Sequence, residues 1–391
     1  MNFSSFQMQY PSLASENALD VLRLIRTLNV GPVTFFQLIR RFGTASAALD
    51  ALPELSLRGG RKNPLTACPR ETALKEMEAV EKFGARLILY GAPDYPRLLH
   101  AIPDPPPLIT VIGHAHLWQK SDIVAIVGAR NASANGCQFA QRLARELGDS
   151  GLIVASGLAR GIDSFVHKGS LATGTIAVIA GGIDNIYPPE NEALYQQIRE
   201  SGAIVSEQAF SAIPYSGAFP GRNRIIAGMS LGTVVVEASP KSGSLITARF
   251  AMENNREVFA VPGSPLDPRS KGCNHLIKQG ANMVESAGDI LQGIAHLRNT
   301  KLEENPSMAY TPDRPALAPT ESELDDTRRL LLEKLGATPV SVDELIEQSL
   351  IPAGAALTIL LELELAGRLR RSAGNKVYLL AHEEIRDAEI A

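Results

Sequence analysis

Cysteine is scarce in this chain: Cys68, Cys137 and Cys273 are the only three in 391 residues, and they stand far apart with no metal-ligand spacing. They fit a reducing compartment in which thiols act as small buried apolar groups. Long hydrophobic runs are missing as well, since none reaches the roughly 18–20 residues that cross a bilayer. The stretch Met1–Ser15 has neither the basic start nor the apolar core of a signal peptide. A cytoplasmic protein without a membrane partner is therefore expected. There is no global excess of positive charge, because formal net charge is −4. Any affinity for nucleic acid must then come from a local cluster of Lys and Arg. Nor does Gly-x-x-x-x-Gly-Lys-Ser/Thr occur anywhere, which argues against ATP hydrolysis by a P-loop.

What is present is an ordinary globular composition, 45% apolar and 20% charged, in a chain long enough for two or three domains. Residues 15–83 read as a small helical domain. Leu19, Leu22, Ile25 and then Leu38, Ile39, Phe42 recur at helical spacing, with Gly31-Pro32 closing one helix and opening the next. A Gly-bearing turn between two short helices fits either of two roles: a helix-hairpin-helix whose turn amides grip a DNA phosphate, or a helical adaptor packed on a neighbour. Residues 84–298 alternate β-branched runs with amphipathic stretches, which predicts a doubly wound, Rossmann-like parallel sheet. The predicted strands are Arg86–Tyr90, Leu108–Ile112, Ile123–Val127, Leu152–Ala155, Thr175–Ile179, Ala203–Ser206, Thr233–Glu237 and Glu257–Val261. Residues 299–320, with Pro306, Pro312, Pro315 and Pro319, read as a linker. Residues 321–391 hold three helical patterns and a hairpin around Gly374-Asn375, a winged-helix-like arrangement. Its third helix carries Glu362 and Glu364 and no base before Arg368, so protein contact is expected of it rather than insertion into a DNA groove.

Four turns of the sheet domain set glycine against a strand end, where ligands bind in open parallel sheets. The first is Val127-Gly128-Ala129-Arg130. A dinucleotide fingerprint needs a second glycine where Arg130 stands, so NAD and FAD are disfavoured. Arg130 either reaches a phosphate or is a surface arginine paired with a carboxylate. The second turn brings Ser156, Gly157, Arg160 and Gly161. The third, Phe219 to Gly228, places Arg222, Asn223 and Arg224 in a helix's first turn, where cations oppose the macrodipole unless anions bind there. Arg224 is preferred to Arg222, which suits an outer-face salt bridge. Asn223 either bonds a base or ribose or caps the turn, and Phe219 either stacks on a base or packs in the core. The fourth turn, Lys241-Ser242-Gly243-Ser244, makes an anion nest. Together these groups read as a phosphate-recognising pocket with no catalytic machinery, no metal and no cofactor. Asp163 and His167, one helical turn apart, have no third ligand and fit a structural hydrogen bond. Ser156, Ser242 and Ser244 have no base beside them in sequence.

The same motifs resemble a known family. Val127-Gly128-x-Arg130, Ser156-Gly157-x-Ala159-x-Gly161-Ile162-Asp163-x-x-x-His167, Tyr187-Pro188-x-x-Asn191, Phe219-Pro220-x-Arg222-Asn223-Arg224-Ile225-Ile226-Ala227-Gly228, Ser242-Gly243-Ser244 and Val261-Pro262-Gly263-Ser264 look like the DNA-processing protein A family (DprA, also called Smf). The resemblance implies a bacterial recombination mediator that binds and protects single-stranded DNA in natural transformation. It also implies help in loading the RecA recombinase and a homodimer formed through the Rossmann-like domain. Arg130 then corresponds to the family's DNA-contacting arginine. Where many members carry a lysine after Tyr-Pro this chain has Pro189, so Arg160, Arg222, Arg224 or Lys241 is expected to compensate. The rival is an enzyme: Gly228-x-x-x-Gly232-Thr233-Val234-Val235-Val236-Glu237 resembles the turn of lysine-decarboxylase-like nucleotide phosphoribohydrolases, in which such a Glu assists base release.

Overall fold

The computed structural model describes residues 10–119, 122–299, 321–372 and 375–380. The linker reading, beyond Asn299, and Gly374 of the hairpin turn lie outside them. The chain divides into two compact units, one formed by Met1–Ser15 with Leu74–Glu303 and the other by Glu16–Ala73 with Glu304–Ala391.

The first unit is built on β1 Arg86–Leu89, β2 Leu108–Gly113, β3 Ile123–Gly128, β4 Ile153–Ser156, β5 Thr175–Val178, β6 Ala203–Ser206, β7 Gly232–Val236, β8 Glu257–Ala260 and β9 Asn282–Met283. They lie in the order β1-β2-β6-β5-β4-β3-β7-β8-β9. Strands β3 to β9 pair in parallel. Strand β2 runs against both of its neighbours, so the sheet is mixed rather than all parallel. The β1–β2 pairing has a local reason: no α-helix separates the two strands, and without a crossover adjacent strands pair antiparallel.

Except for the edge strand β9, the parallel strands are buried along nearly their whole length, as strands covered on both faces must be. On one face Val124, Ile126, Val154, Val234 and Val236 meet Leu143 and Leu147 of the helix Ala134–Asp149 and Ile290 of the helix Ala287–Asn299. Farther along the same face, Ala177, Ile179 and Ile204 meet Tyr195 and Ile198 of the helix Glu192–Ser201. The chain leaves β3 in one direction to β4, β5 and β6, then returns beside β3 to continue through β7 and β8. That reversal opens a crevice at the strands' C-terminal ends.

The second unit joins the helices Ala18–Ile25, Pro32–Phe42 and Ala45–Arg58 to a three-helix, three-strand module. The module contains helices Glu321–Lys334, Val342–Ser349 and Ala353–Leu365, with β10 Val340–Ser341, β11 Leu369–Ser372 and β12 Lys376–Leu379 in the order β10-β12-β11. Helix Ala353–Leu365 is buried almost all round, with Ile359, Leu360, Leu363 and Leu365 at 0% exposure. Glu362 and Glu364 do not face solvent. Glu362 is buried and bonded to Arg328 at 2.7 Å, and Glu364 is bonded to Arg371 at 2.9 Å. Burial raises the Glu364 pKa, and Arg371 opposes this only in part. The helix crosses Ala45–Arg58 so closely that a Cβ on Gly59 would strike the Glu362 carbonyl. The turn between the first two helices is also occupied, because Asn29 Nδ2 donates to the Leu365 carbonyl at 3.3 Å.

Candidate functional site

The crevice at the strand ends is a cleft of about 420 Å³ including its open mouth. Arg130, Gly157, Arg160 and Arg222 line it, together with Ala159, Ile179, Ala180, Gly181, Asn185, Tyr187, Pro188, Pro214 and Phe219. Three arginines from turns far apart in sequence thus meet at one sheet edge.

Arg130 is exposed on the turn after β3. Two glycines hold that turn in place. Gly161, at φ +75, lies so near the Ala129 and Arg130 carbonyls that a side chain there would collide, and Ile162 N donates to the Ala129 carbonyl at 3.2 Å. Gly128 passes equally close to the Val236 carbonyl of β7. The guanidinium lies over the Phe219 ring, 4.9 Å from its centroid, and Phe219 in turn meets the Tyr187 ring at 5.7 Å. Among the described residues no carboxylate pairs with Arg130. Its planar face is satisfied by the ring while its N–H edges stay available to an anion.

Arg222 behaves differently. It is 7% exposed and donates to the Gly157 and Val178 carbonyls at the ends of β4 and β5, the latter at 2.6 Å. Burial lowers its pKa to about 10, against the pull of Asp163. Burial raises the Asp163 pKa, while Arg222 and the Ala159 N–H favour its charged form. Arg222 forms the floor of the cleft. Arg160 stands at the rim beside Glu190, 3.6 Å away, both largely in water where such a pair contributes little.

The sequence ranking of Arg224 over Arg222 is reversed by this geometry. Arg224, 6% exposed, points away from the cleft into a carboxylate pair, bonded to Glu207 and 3.4 Å from Asp104 Oδ2. Burial alone would lower its pKa, but Glu207 and then Asp104 outweigh that and the value is raised. Asn223 is turned toward its neighbour turn, donating to the Gly243 carbonyl at 3.3 Å. Lys241, Ser242, Gly243 and Ser244 do not line the cleft. Ser242 caps the helix Gly243–Glu253, and its hydroxyl lies 2.7 Å from that of Ser244. Ser156 is fully buried, its hydroxyl donating to the Ile126 carbonyl at 2.6 Å.

Sequence reasoning missed the wall formed by Ile179, Ala180, Gly181 and Asn185. The signal was there in Gly181-Gly182, directly after an apolar strand, where backbone can approach a ligand closely. Asn191 is buried and braces the wall, donating to the Leu158 and Ala159 carbonyls at 2.9 and 3.3 Å.

Two groups weighed for chemistry, Glu237 for base release and His167 as a metal ligand, have structural partners. Glu237 closes the N-terminus of the helix Ala134–Asp149: Ser133 N donates to it at 2.8 Å and the Ser133 hydroxyl donates as well. A carboxylate there complements the helix dipole. Thr175 gives its only hydroxyl proton to the Val154 carbonyl at 3.2 Å, so it accepts from His167 Nδ1 at 2.7 Å. His167 is therefore a neutral Nδ1–H tautomer, fully buried, and burial together with Arg222 lowers its pKa to about 3. No cluster of potential metal ligands occurs among the described residues.

A pH effect follows. Between about pH 6.5 and 3 the unfolded chain protonates this histidine and the folded chain does not. Folding stability therefore falls as pH falls through that window, by at most about 1.4 kcal/mol per pH unit from this group. Urea titrations at several pH values are expected to give a shallower acid dependence for His167→Gln than for the unaltered protein.

Comparison with known proteins gives the site its context. A family model described as "DNA recombination-mediator protein A" matches residues 86–295, more than half of the chain. The chain belongs to this family, DprA/Smf. Further models, a DprA-like N-terminal HHH domain and a DprA winged helix domain, match residues 15–79 and 315–375. Protein Smf of Synechocystis is 36% identical over 309 residues, 72% of this chain and 77% of the relative. DNA processing protein DprA of Bacillus subtilis is 42% identical over 230 residues, 58% of this chain and 77% of the relative. The X-ray structure of DprA from Streptococcus pneumoniae matches with a TM-score of 0.58 at 31% identity, covering 71% of this chain and 98% of that one. A structure of the Helicobacter pylori protein, described for its single-stranded DNA binding mode, matches with a TM-score of 0.50 at 28% identity, covering 54% and 96%. Family membership sets aside the phosphoribohydrolase alternative, in keeping with the capping role of Glu237. Among the described residues no helix is long and apolar enough to cross a membrane.

Proposed function

We propose that the cleft binds single-stranded DNA and that the protein is a recombination mediator rather than an enzyme. The observation that carries this reading is Arg130: an exposed guanidinium without a carboxylate partner, seated on an aromatic ring at the mouth of a cleft that two further arginines line. Arg130 and Arg160 contact backbone phosphate, and Arg222 with Gly157 shapes the floor. Asn223, Lys241, Ser242, Gly243 and Ser244 have a second-rank role at the neighbouring turn, and Arg224, Gly128, Ser156 and Gly161 hold the scaffold.

A concave site of this kind suits a flexible unpaired strand, whereas reading a duplex calls for a protruding helix or ribbon. The helix best fitted to that task, Ala353–Leu365, is buried within its own unit. In the cell, the bound strand is incoming DNA in the cytoplasm. The protein protects it and helps to load RecA, acting as a homodimer through the sheet unit.

Electrophoretic shifts with single- and double-stranded oligonucleotides at two salt concentrations test the reading. Single-strand complexes that weaken as salt rises are expected, with weaker duplex complexes. Equal retention of both forms, or of neither, would overturn it.

A further inference from the structure

The segment from Gln208 to Gly221 carries no charged side chain, yet it borders the arginine-lined cleft. Pro214 belongs to the cleft wall and packs on Gly181, where an added Cβ would lie 2.9 Å from the proline ring. On either side of it, Ile213 and Tyr215 are 77% and 63% exposed, among the most exposed large apolar side chains described.

Such exposure is usual on a loose loop, and this loop is not loose. The Ser211 amide and hydroxyl both donate to the Asp184 carboxylate, at 2.7 and 2.8 Å, and Gly182 N donates to the Ala212 carbonyl at 2.9 Å. Phe210 is anchored against Phe83, ring to ring at 5.7 Å, and its amide donates to Glu76 at 3.3 Å. At the other end Ala218 N donates to the Tyr215 carbonyl at 3.0 Å as the next helix begins. A rigid mount thus presents two apolar side chains to water, continuous with the cleft through Pro214.

We infer that Ile213 and Tyr215 form a shelf on which the bases of the strand leaving the cleft stack. The inference rests on the single-strand reading above and extends it to the nucleotides beyond the cleft. The occupant is identified by what the shelf offers. The segment itself carries no cation for a phosphate, and the carboxylates shown bonded to it, Asp184 and Glu76, are engaged by Ser211 and the Phe210 amide, but it has a ring and a branched alkyl group for the π-face that every base carries. Contact there is with bases, of any sequence, while the arginines hold the backbone.

The test compares the unaltered protein with Ile213→Ala/Tyr215→Ala, Tyr215→Phe and Arg130→Ala, by fluorescence anisotropy. The probes are an oligothymidylate of about 16 nucleotides, the upper end of site sizes for single-strand grooves, and an abasic oligonucleotide of equal length. The double variant is expected to lose at least about fivefold in affinity for the oligothymidylate, the lower bound for one lost base stack. Its salt slope stays unchanged and its affinity for the abasic strand equals that of the unaltered protein. Tyr215→Phe keeps full affinity. No loss with the double variant, or the same loss on the abasic strand, overturns the shelf. If Arg130→Ala still weakens binding in that case, the single-strand reading stands without it. If the unaltered protein binds neither probe, that reading has failed first. Both substituted side chains are exposed, so unchanged thermal midpoints are expected and separate binding effects from misfolding.

Discussion

Arg130→Ala lowers affinity for single-stranded DNA at least tenfold, about 1.4 kcal/mol, and leaves the fold intact. The guanidinium is exposed and makes no ion pair among the described residues, so its removal strands no buried charge. What is lost is a charge-assisted contact with phosphate, which in single strands carries a salt slope of about 0.7 per phosphate neutralised. Plots of log affinity against log salt for the variant are therefore expected to be shallower by about that amount. Arg130→Lys is expected to fall between, since lysine keeps the charge but has no planar face for Phe219 and no fork for two phosphate oxygens. Unchanged affinity and slope in folded Arg130→Ala would remove the arginine from the interface.

Arg224→Ala has the opposite profile. Its guanidinium is the common partner of Glu207 and Asp104, with Nη1 also donating to the Asp104 carbonyl at 2.6 Å. Removing it takes from Glu207, whose side chain is 15% exposed, and from Asp104 the guanidinium they share. Breaking a buried pair from one side costs about 3–5 kcal/mol, a large share of a domain's stability. Urea unfolding is expected to show that loss, while single-strand affinity per folded molecule changes less than twofold. A stable variant with weakened DNA binding would mean that Arg224 leaves its carboxylates to meet the strand.

These two arginines show where the sequence stops being informative. Arg222 and Arg224 sit two residues apart on one helix, about 200° around its axis, so if one faces the cleft the other faces away. Which one does depends on how the helix is rotated on the sheet, and that is set by packing of Ile225 and Ile226, not by the arginines. The strands were legible because double coverage makes runs such as Ile123–Gly128 continuously apolar. Strand Asn282–Met283 was not, having two residues and no pattern. The reversed direction of Leu108–Gly113 was not legible either, since its pairing with the distant strand Ala203–Ser206 leaves no mark in the local pattern. Around the cleft, Arg130 was legible because it replaces a glycine that nucleotide binding would need. Ile179, Ala180 and Asn185 were not, since a wall residue looks like any other apolar or loop residue until the strands are laid side by side. For the helix Ala353–Leu365 the sequence did hold the answer. Its apolar residues encircle the axis, the mark of a helix buried on all sides.

That burial has a consequence for how the polypeptide is made. Arg368 Nη1 donates to the Gly59 carbonyl at 3.3 Å across 309 positions of the chain. The first helices leave the ribosome long before the segment that covers them exists. At about 5–20 residues per second, they wait on the order of 15–60 seconds with their contact face bare, while the sheet is synthesised in between. Completion of this unit thus waits for synthesis of the whole intervening sheet, and ribosomes stalled before the helix Ala353–Leu365 would release a product in which the helix Ala45–Arg58 is uncovered and sticky.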